Sequence, residues 1–358
     1  MAYTTTTSSA GETLVGTSGK DAVVTLTTTK NVQVNAYEGD DAVTLNGAAT
    51  SGSVGMGGGK DTVNVGGTVS ELTFTLGDGA DSYTQTAANT SVTVGGQGGA
   101  DEFVLVTGGR FNSYGGGAGK DTFTGALGLQ DSIKGGSEDD TFGAVGNGID
   151  LGQLSFINGQ LGKDTIYVDT AAANATVRGG SEDDTITVVT GGNSAILYGD
   201  KGADTLTGNA DADELFGGGG ADTLNGGAGS DKLTGGLGKD NFVIGETAAA
   251  NVAAIQDFTV SDDKIQVTAA SYAAYTAGGT VNLTTIAGFA AGAIIVDTQA
   301  NIVAADLSAT QAGLLAIASD TGNIIYDADG NFTALTQIVG TVDAGVVSSL
   351  TASNFVLA

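Results

Sequence analysis

Fourteen aspartates, each closing a glycine-rich turn, recur along this chain with a near-fixed step: Asp21, Asp41, Asp61, Asp81, Asp101, Asp121, Asp140, Asp164, Asp184, Asp204, Asp213, Asp222, Asp231 and Asp240. The steps are 20 residues five times, then 19, 24, 20 and 20, and finally 9 four times. Such a period restricts a chain to stacked, near-identical coils. Two residues after every aspartate, and seven before it, stands an apolar or aromatic side chain, as with Val63 and Val54 around Asp61, or Phe123 and Tyr114 around Asp121. Each turn is therefore flanked by two inward-facing positions nine residues apart.

Nine residues for one turn leave eleven of each 20-residue repeat for the return path. Each coil is then two short strands, joined by a glycine–aspartate turn on one side and a longer Thr/Ser/Asn/Gly turn on the other. From Asp204 onward both turns take the nine-residue form. Alternation such as Thr62–Val65 puts every second side chain inside. The expected fold is all-β: a parallel β-roll, or two-sheet β-solenoid, capped by a smaller mainly-β C-terminal domain. The expected divisions are an N-terminal segment and first strand over 1–15, the roll over 16–245, and the cap over 246–358. The threonine-rich start, Tyr3–Ala10, is read as offering little capping, which leaves the first coil to meet another subunit.

Composition narrows the chemistry. The chain has no Pro, which suits uninterrupted strand stacking. It has no Cys and no His, which excludes disulfides, thiol catalysis, zinc–histidine sites and serine–histidine triads. With 40 acidic residues against 12 basic ones and a net charge of −28, its surface repels nucleic acid and anionic lipid. The start of the chain shows no Sec-type signal, and no apolar run is long enough for a transmembrane segment.

Stacked coils bring the turn aspartates into a column about 4.8 Å apart, where like charges repel. A hard divalent cation between successive turns converts that repulsion into ligation, and calcium accepts six to eight oxygens, backbone carbonyls among them. Glycine lets the backbone aim carbonyls at such an ion without a Cβ in the way. All fourteen aspartates are therefore candidate Ca²⁺ ligands. One long column and a short second one at Asp213 and Asp231 are expected, with Asp131 a candidate isolated turn on the opposite side.

The stretches GGAGKDTF (Gly116–Phe123), GGGGADTL (Gly217–Leu224), GGAGSDKL (Gly226–Leu233) and GGLGKDNF (Gly235–Phe242) resemble the RTX, or haemolysin-type calcium-binding, nonapeptide. That resemblance implies several calcium ions held in the turns of a parallel β-roll. Gly116, Gly119, Gly217, Gly220, Gly226, Gly229, Gly235 and Gly238 would then join the aspartates as site residues. Glu138 and Glu182 depart from it by replacing the fourth-position glycine. Asn241–Val267, Asn323–Phe332 and Leu350–Ala358 resemble regions that follow RTX repeats in exported bacterial proteins. This implies the type I secretion machinery as a partner and a secreted or cell-surface location in a Gram-negative-type bacterium.

Two local readings complete the C-terminal part. Ser308–Ala318 reads as a helix opened by a Ser308/Gln311 capping box. Asp327–Asn331 reads as a β turn between strands rather than as an EF-hand loop.

With nearly all of the first 245 residues given to repeats, no separate domain remains for an active site, and no enzyme is expected. The expected function is a calcium-binding structural protein that self-associates into an S-layer, sheath or filament. The alternative is a calcium-stabilised adhesin for a surface or glycan, with Thr73 and Thr75 as outward-facing candidates.

Overall fold

The computed structural model describes the chain apart from residues 1–3, 9–10, 22–23, 27–29, 172–174, 191–192, 245–251, 268–282, 285–293, 298–313, 328–335 and 358. Two compact units emerge, Met1–Asn193 and Ser194–Ala358.

The first unit is a parallel two-sheet solenoid. One sheet is built from strands such as Gly52–Gly58, Leu72–Asp78, Thr93–Gly98 and Ser113–Ala118, each paired in parallel with its counterpart one coil on. The other contains Thr62–Val65, Ser82–Gln85, Glu102–Leu105 and Thr122–Gly125 in the same relation. The apolar positions that flank the aspartates become two columns inside it. Val54, Phe74, Val94, Tyr114, Ile133, Ile157 and Val177 are register partners in turn. So are Val63, Tyr83, Phe103, Phe123, Phe142, Ile166 and Ile186. All are buried. Aromatic rings stack within the second column, with centroids 4.5 Å apart for Phe103–Phe123 and 5.1 Å for Phe123–Phe142. The longer step between Asp140 and Asp164 is absorbed by the extra strand Ile149–Asp150, which pairs with Thr165–Thr170 through an irregular register.

One expectation fails at the start of the chain. Thr4–Ser8 forms a strand antiparallel to Gly11–Val15, so the first edge of one of the two sheets is covered by its own chain rather than left bare. Threonine's β preference and an unpaired neighbouring edge are sufficient cause.

The second unit repeats the design with shorter coils. Leu197, Leu215, Leu233 and Ile255 line one wall, and Leu206, Leu224, Phe242 and Ile265 the other. Both sheets are then closed by later chain: Phe355–Leu357 pairs with Lys264–Val267, and Thr336–Thr341 with Ala253–Ile255. Asn354 pins the closing tail by donating its side-chain amide to the Val260 and Asp263 carbonyls.

The expected helix is corrected here. Leu314–Ala318 is a strand, antiparallel to Asn323–Asp327, and Leu315, Ala316, Ile317 and Ala318 are all buried. A short run that is apolar all round suits a strand covered on both faces, and partner strands outweigh local propensity. Ser308 and Gln311 lie outside the described residues. Asn323–Asp327 and Thr336–Thr341 are antiparallel strands, as expected, while the loop between them lies outside the described residues.

Candidate metal centre

Each turn aspartate is buried, and its two carboxylate oxygens have different surroundings. In the first unit Oδ1 accepts the backbone N–H of the aspartate one coil earlier. Asp21 donates to Asp41, Asp41 to Asp61, Asp61 to Asp81, Asp81 to Asp101, and Asp101 to Asp121, at 2.7–2.8 Å. Asp121, Asp140 and Asp164 continue the series to Asp140, Asp164 and Asp184, each at 2.8 Å. In the second unit Asp204 donates to Asp222 and Asp222 to Asp240, while Asp213 donates to Asp231 in a separate line. The two columns expected from spacing are therefore stapled ladders.

Oδ2 is the oxygen that calls for a ligand. In Asp41, Asp61, Asp81, Asp101, Asp121, Asp140, Asp164, Asp222, Asp231 and Asp240 it is buried with no hydrogen-bond partner. An unsatisfied buried acceptor costs about 1–3 kcal/mol, and more when it carries charge. Burial accordingly pushes the Asp61, Asp101, Asp164 and Asp222 carboxyls up to about 7, Asp140 to about 8, and Asp121 and Asp231 to about 6. The stapling N–H opposes that rise at every one of them.

From Asp101 to Asp164, and at Asp222, Asp231 and Asp240, the orphaned oxygen lies beside a gap that exists because the residue five positions earlier is glycine. A Cβ added to Gly116 would stand 2.0 Å from Asp121 Oδ2 and 2.6 Å from the Gly135 carbonyl oxygen of the next coil. At Gly96 the distances are 2.1 Å to Asp101 Oδ2 and 2.2 Å to the Gly116 carbonyl, and at Gly217 they are 2.4 Å to Asp222 Oδ2 and 2.6 Å to the Gly235 carbonyl. Carboxylate and carbonyl thus converge across a space that holds no side chain. Among the described residues, no three acidic side chains gather into a ready-made cage. A cation here therefore draws on the backbone, as calcium readily does. The residues present fit calcium.

The other expected glycines shape the same turns. Gly119, Gly220, Gly229 and Gly238 hold φ between +119° and +148°, which carries the chain round to the aspartate. Glu138 and Glu182 occupy that position with φ of 77° and 80°, so the departures from the motif keep its left-handed backbone. Exposed ion pairs, Lys120–Asp139 and Lys163–Asp183, join neighbouring turns just outside the column at 2.6 Å.

Not every predicted site residue has an oxygen to spare. Asp21 Oδ2 accepts the Thr17 N–H and Asp213 Oδ2 the Asn209 N–H, each at 2.7 Å, so both are satisfied by their own turns. Asp131 is likewise engaged on both oxygens, by the N–H groups of Asn112 and Gly128. It ends a short line on the opposite side in which Val92 donates to Asn112, and at a separate register position Val69 donates to Asn89. Asn89 and Asn112 carry no glycine signature and are invisible to a search on aspartate turns. Asp263 was also missed: it takes the Asp240 N–H on Oδ1 and the Thr259 N–H on Oδ2, closing the column without a free oxygen.

The family model of the RTX calcium-binding nonapeptide repeat, four copies, matches residues 189–224 and 216–245. No curated protein matches the chain. The matched segment contains the Gly217, Gly226 and Gly235 turns, and the same stapled aspartate and glycine gap recur in the first unit from Asp101 to Asp164. Residues 189–245 match the RTX calcium-binding nonapeptide repeat, and the parallel β-solenoid architecture fits an RTX-repeat protein.

Proposed function

We propose that this protein is a secreted structural component of a bacterial cell surface, which folds on meeting extracellular calcium and then self-associates as an S-layer, sheath or filament. The observation that carries the calcium half is the buried, unpartnered Oδ2 of the turn aspartates, facing a carbonyl across a glycine gap. Bound calcium supplies two positive charges and a flexible oxygen shell to such a gap. The chain's own part is to hold each carboxylate by Oδ1, to keep the gap free of side chains, and to bring the next coil's carbonyl to it. At low calcium the charge of −28 and the buried carboxylates oppose compaction of the glycine-gapped coils, which favours type I export.

The structural role is supported by how little of the molecule is left for anything else. Among the described residues, every buried acidic side chain is one of these turn staples, and the sequence has no His or Cys for catalysis. No helix among the described residues is long and apolar enough to cross a membrane. A second reading, an adhesin, draws on the polar outer face of the first unit, where Thr62, Ser82, Glu102, Thr122, Thr141, Thr165 and Thr185 are register neighbours. On the opposite sheet Thr73 is exposed, flanked by Ser53 and Thr93, whereas Thr75 lies between Gly55 and Gly95. Electron microscopy of the purified chain in millimolar calcium separates the two. Lattices or fibres are expected; dispersed monomers that coat a glycan or mineral surface would favour the adhesin.

A further inference from the structure

The turns of the first unit differ at one position that the aspartate ladder conceals. Five residues before Asp101, Asp121, Asp140, Asp164 and Asp184 stands glycine: Gly96, Gly116, Gly135, Gly159 and Gly179. Five before Asp41, Asp61 and Asp81 stand Ala36, Met56 and Leu76, all three fully buried. In the glycine turns the site of a would-be Cβ lies 1.9–2.2 Å from the aspartate Oδ2. No real Cβ approaches an oxygen that closely. The carboxylate and the carbonyl therefore cannot meet around this point in the Ala36, Met56 and Leu76 turns as they do in the others. The second carboxylate oxygen is buried and without a hydrogen-bond partner at Asp41, Asp61 and Asp81 as it is at Asp101, Asp121, Asp140 and Asp164, so the discriminating feature is the space beside it.

We infer that the solenoid is divided: the turns of Asp41, Asp61 and Asp81 hold no cation, because the side chains of Ala36, Met56 and Leu76 fill the gap that calcium takes from Asp101 to Asp164. This rests on the calcium reading above and goes beyond it, since both groups of turns lie outside the residues matched by the family model. In the plugged turns the aspartate acts only through Oδ1, which still accepts the N–H of the preceding coil. Apolar packing does there what the ion does elsewhere. Met56 and Leu76 each bury a full-sized apolar side chain, which stabilises these coils without any ligand. The coils from Val32 to Gln85 consequently stay ordered when calcium is withdrawn, and offer an edge on which calcium-dependent coils form.

Hydrogen exchange of the full chain, read peptide by peptide at neutral pH in millimolar calcium and in chelator, tests this. Residues 32–45, 52–65 and 72–76 are expected to keep their protection in chelator, while residues 96–105, 113–125 and 157–168 lose about tenfold or more. Equal loss in both groups overturns the division and leaves the calcium reading standing. Loss in neither overturns the calcium reading and the division with it. A count of bound calcium supplies a second measure. Met56→Gly with Leu76→Gly is expected to bind more ions per chain than the wild type, whereas Gly116→Leu binds fewer. An unchanged count in folded Gly116→Leu contradicts the assignment of the gap. The exchange experiment on the wild-type chain decides the matter even where a variant fails to fold.

Discussion

A turn aspartate divides its carboxylate between two tasks, and substitutions can separate them. Asp121→Asn keeps an oxygen to accept the Asp101 N–H but replaces the orphaned Oδ2 with a neutral amide that can face the Gly135 carbonyl. Melting curves should therefore move in opposite directions: about 1–3 kcal/mol more stable in chelator at pH 8, and less stable in saturating calcium. A loss under both conditions would mean that Oδ2 does no more than fill space. The same oxygen sets the pH dependence. Carboxyls raised to about 7 or 8 by burial, as at Asp61, Asp101, Asp140, Asp164 and Asp222, bind more protons folded than unfolded between about pH 4 and pH 8. The stability they contribute is complete below pH 4 and is lost as pH rises through that window. The metal-free chain is thus expected to be more stable at pH 5 than at pH 8.5 in denaturant titrations, with calcium removing the part that Asp101, Asp140, Asp164 and Asp222 contribute. A metal-free stability that rises with pH would contradict this.

At the scale of the strand and turn, the core columns carry most of the stability and were also the most legible part of the sequence. Phe123 lies between Phe103 and Phe142 with all three rings buried, so Phe123→Ala should cost about 3–5 kcal/mol in calcium, read by chemical denaturation. Glu138 sits at φ 77° in a turn position that Gly119 fills at 123°. Glu138→Gly should stabilise the calcium-bound fold by up to about 1 kcal/mol; a loss would show that its side chain contributes something the backbone strain conceals. Positions two after and seven before each aspartate could be read directly because a period of 20 or 9 repeats one environment many times. The opposite-side contacts through Asn89, Asn112 and Asp131 were less legible: their hydrogen bonds keep steps of 20, 20 and 19, but two of the three acceptors are asparagines outside any glycine–aspartate turn. Leu314–Ala318 misled for a different reason: a short, wholly apolar run has no period, and only its antiparallel partner decides between helix and strand. Asp263 was hidden because the five residues before it, Phe258–Asp262, contain no glycine at all.

For the molecule as a whole, the balance lies between a net charge of −28 and cations placed between coils. Withdrawing calcium at pH 8 should remove much of the far-ultraviolet strand signal while the coils from Val32 to Gln85 persist. High monovalent salt should restore little of the loss, because the unsatisfied oxygens are buried rather than exposed to screening. The central claim concerns what occupies the gap between the carboxylate and the next coil's carbonyl, and diffraction answers that most directly. Crystals grown in calcium and measured at a long wavelength should show anomalous peaks beside Oδ2 of Asp101, Asp121, Asp140, Asp164 and Asp222. Well-ordered density in those gaps with no anomalous signal, only water against the carboxylates, would contradict the account.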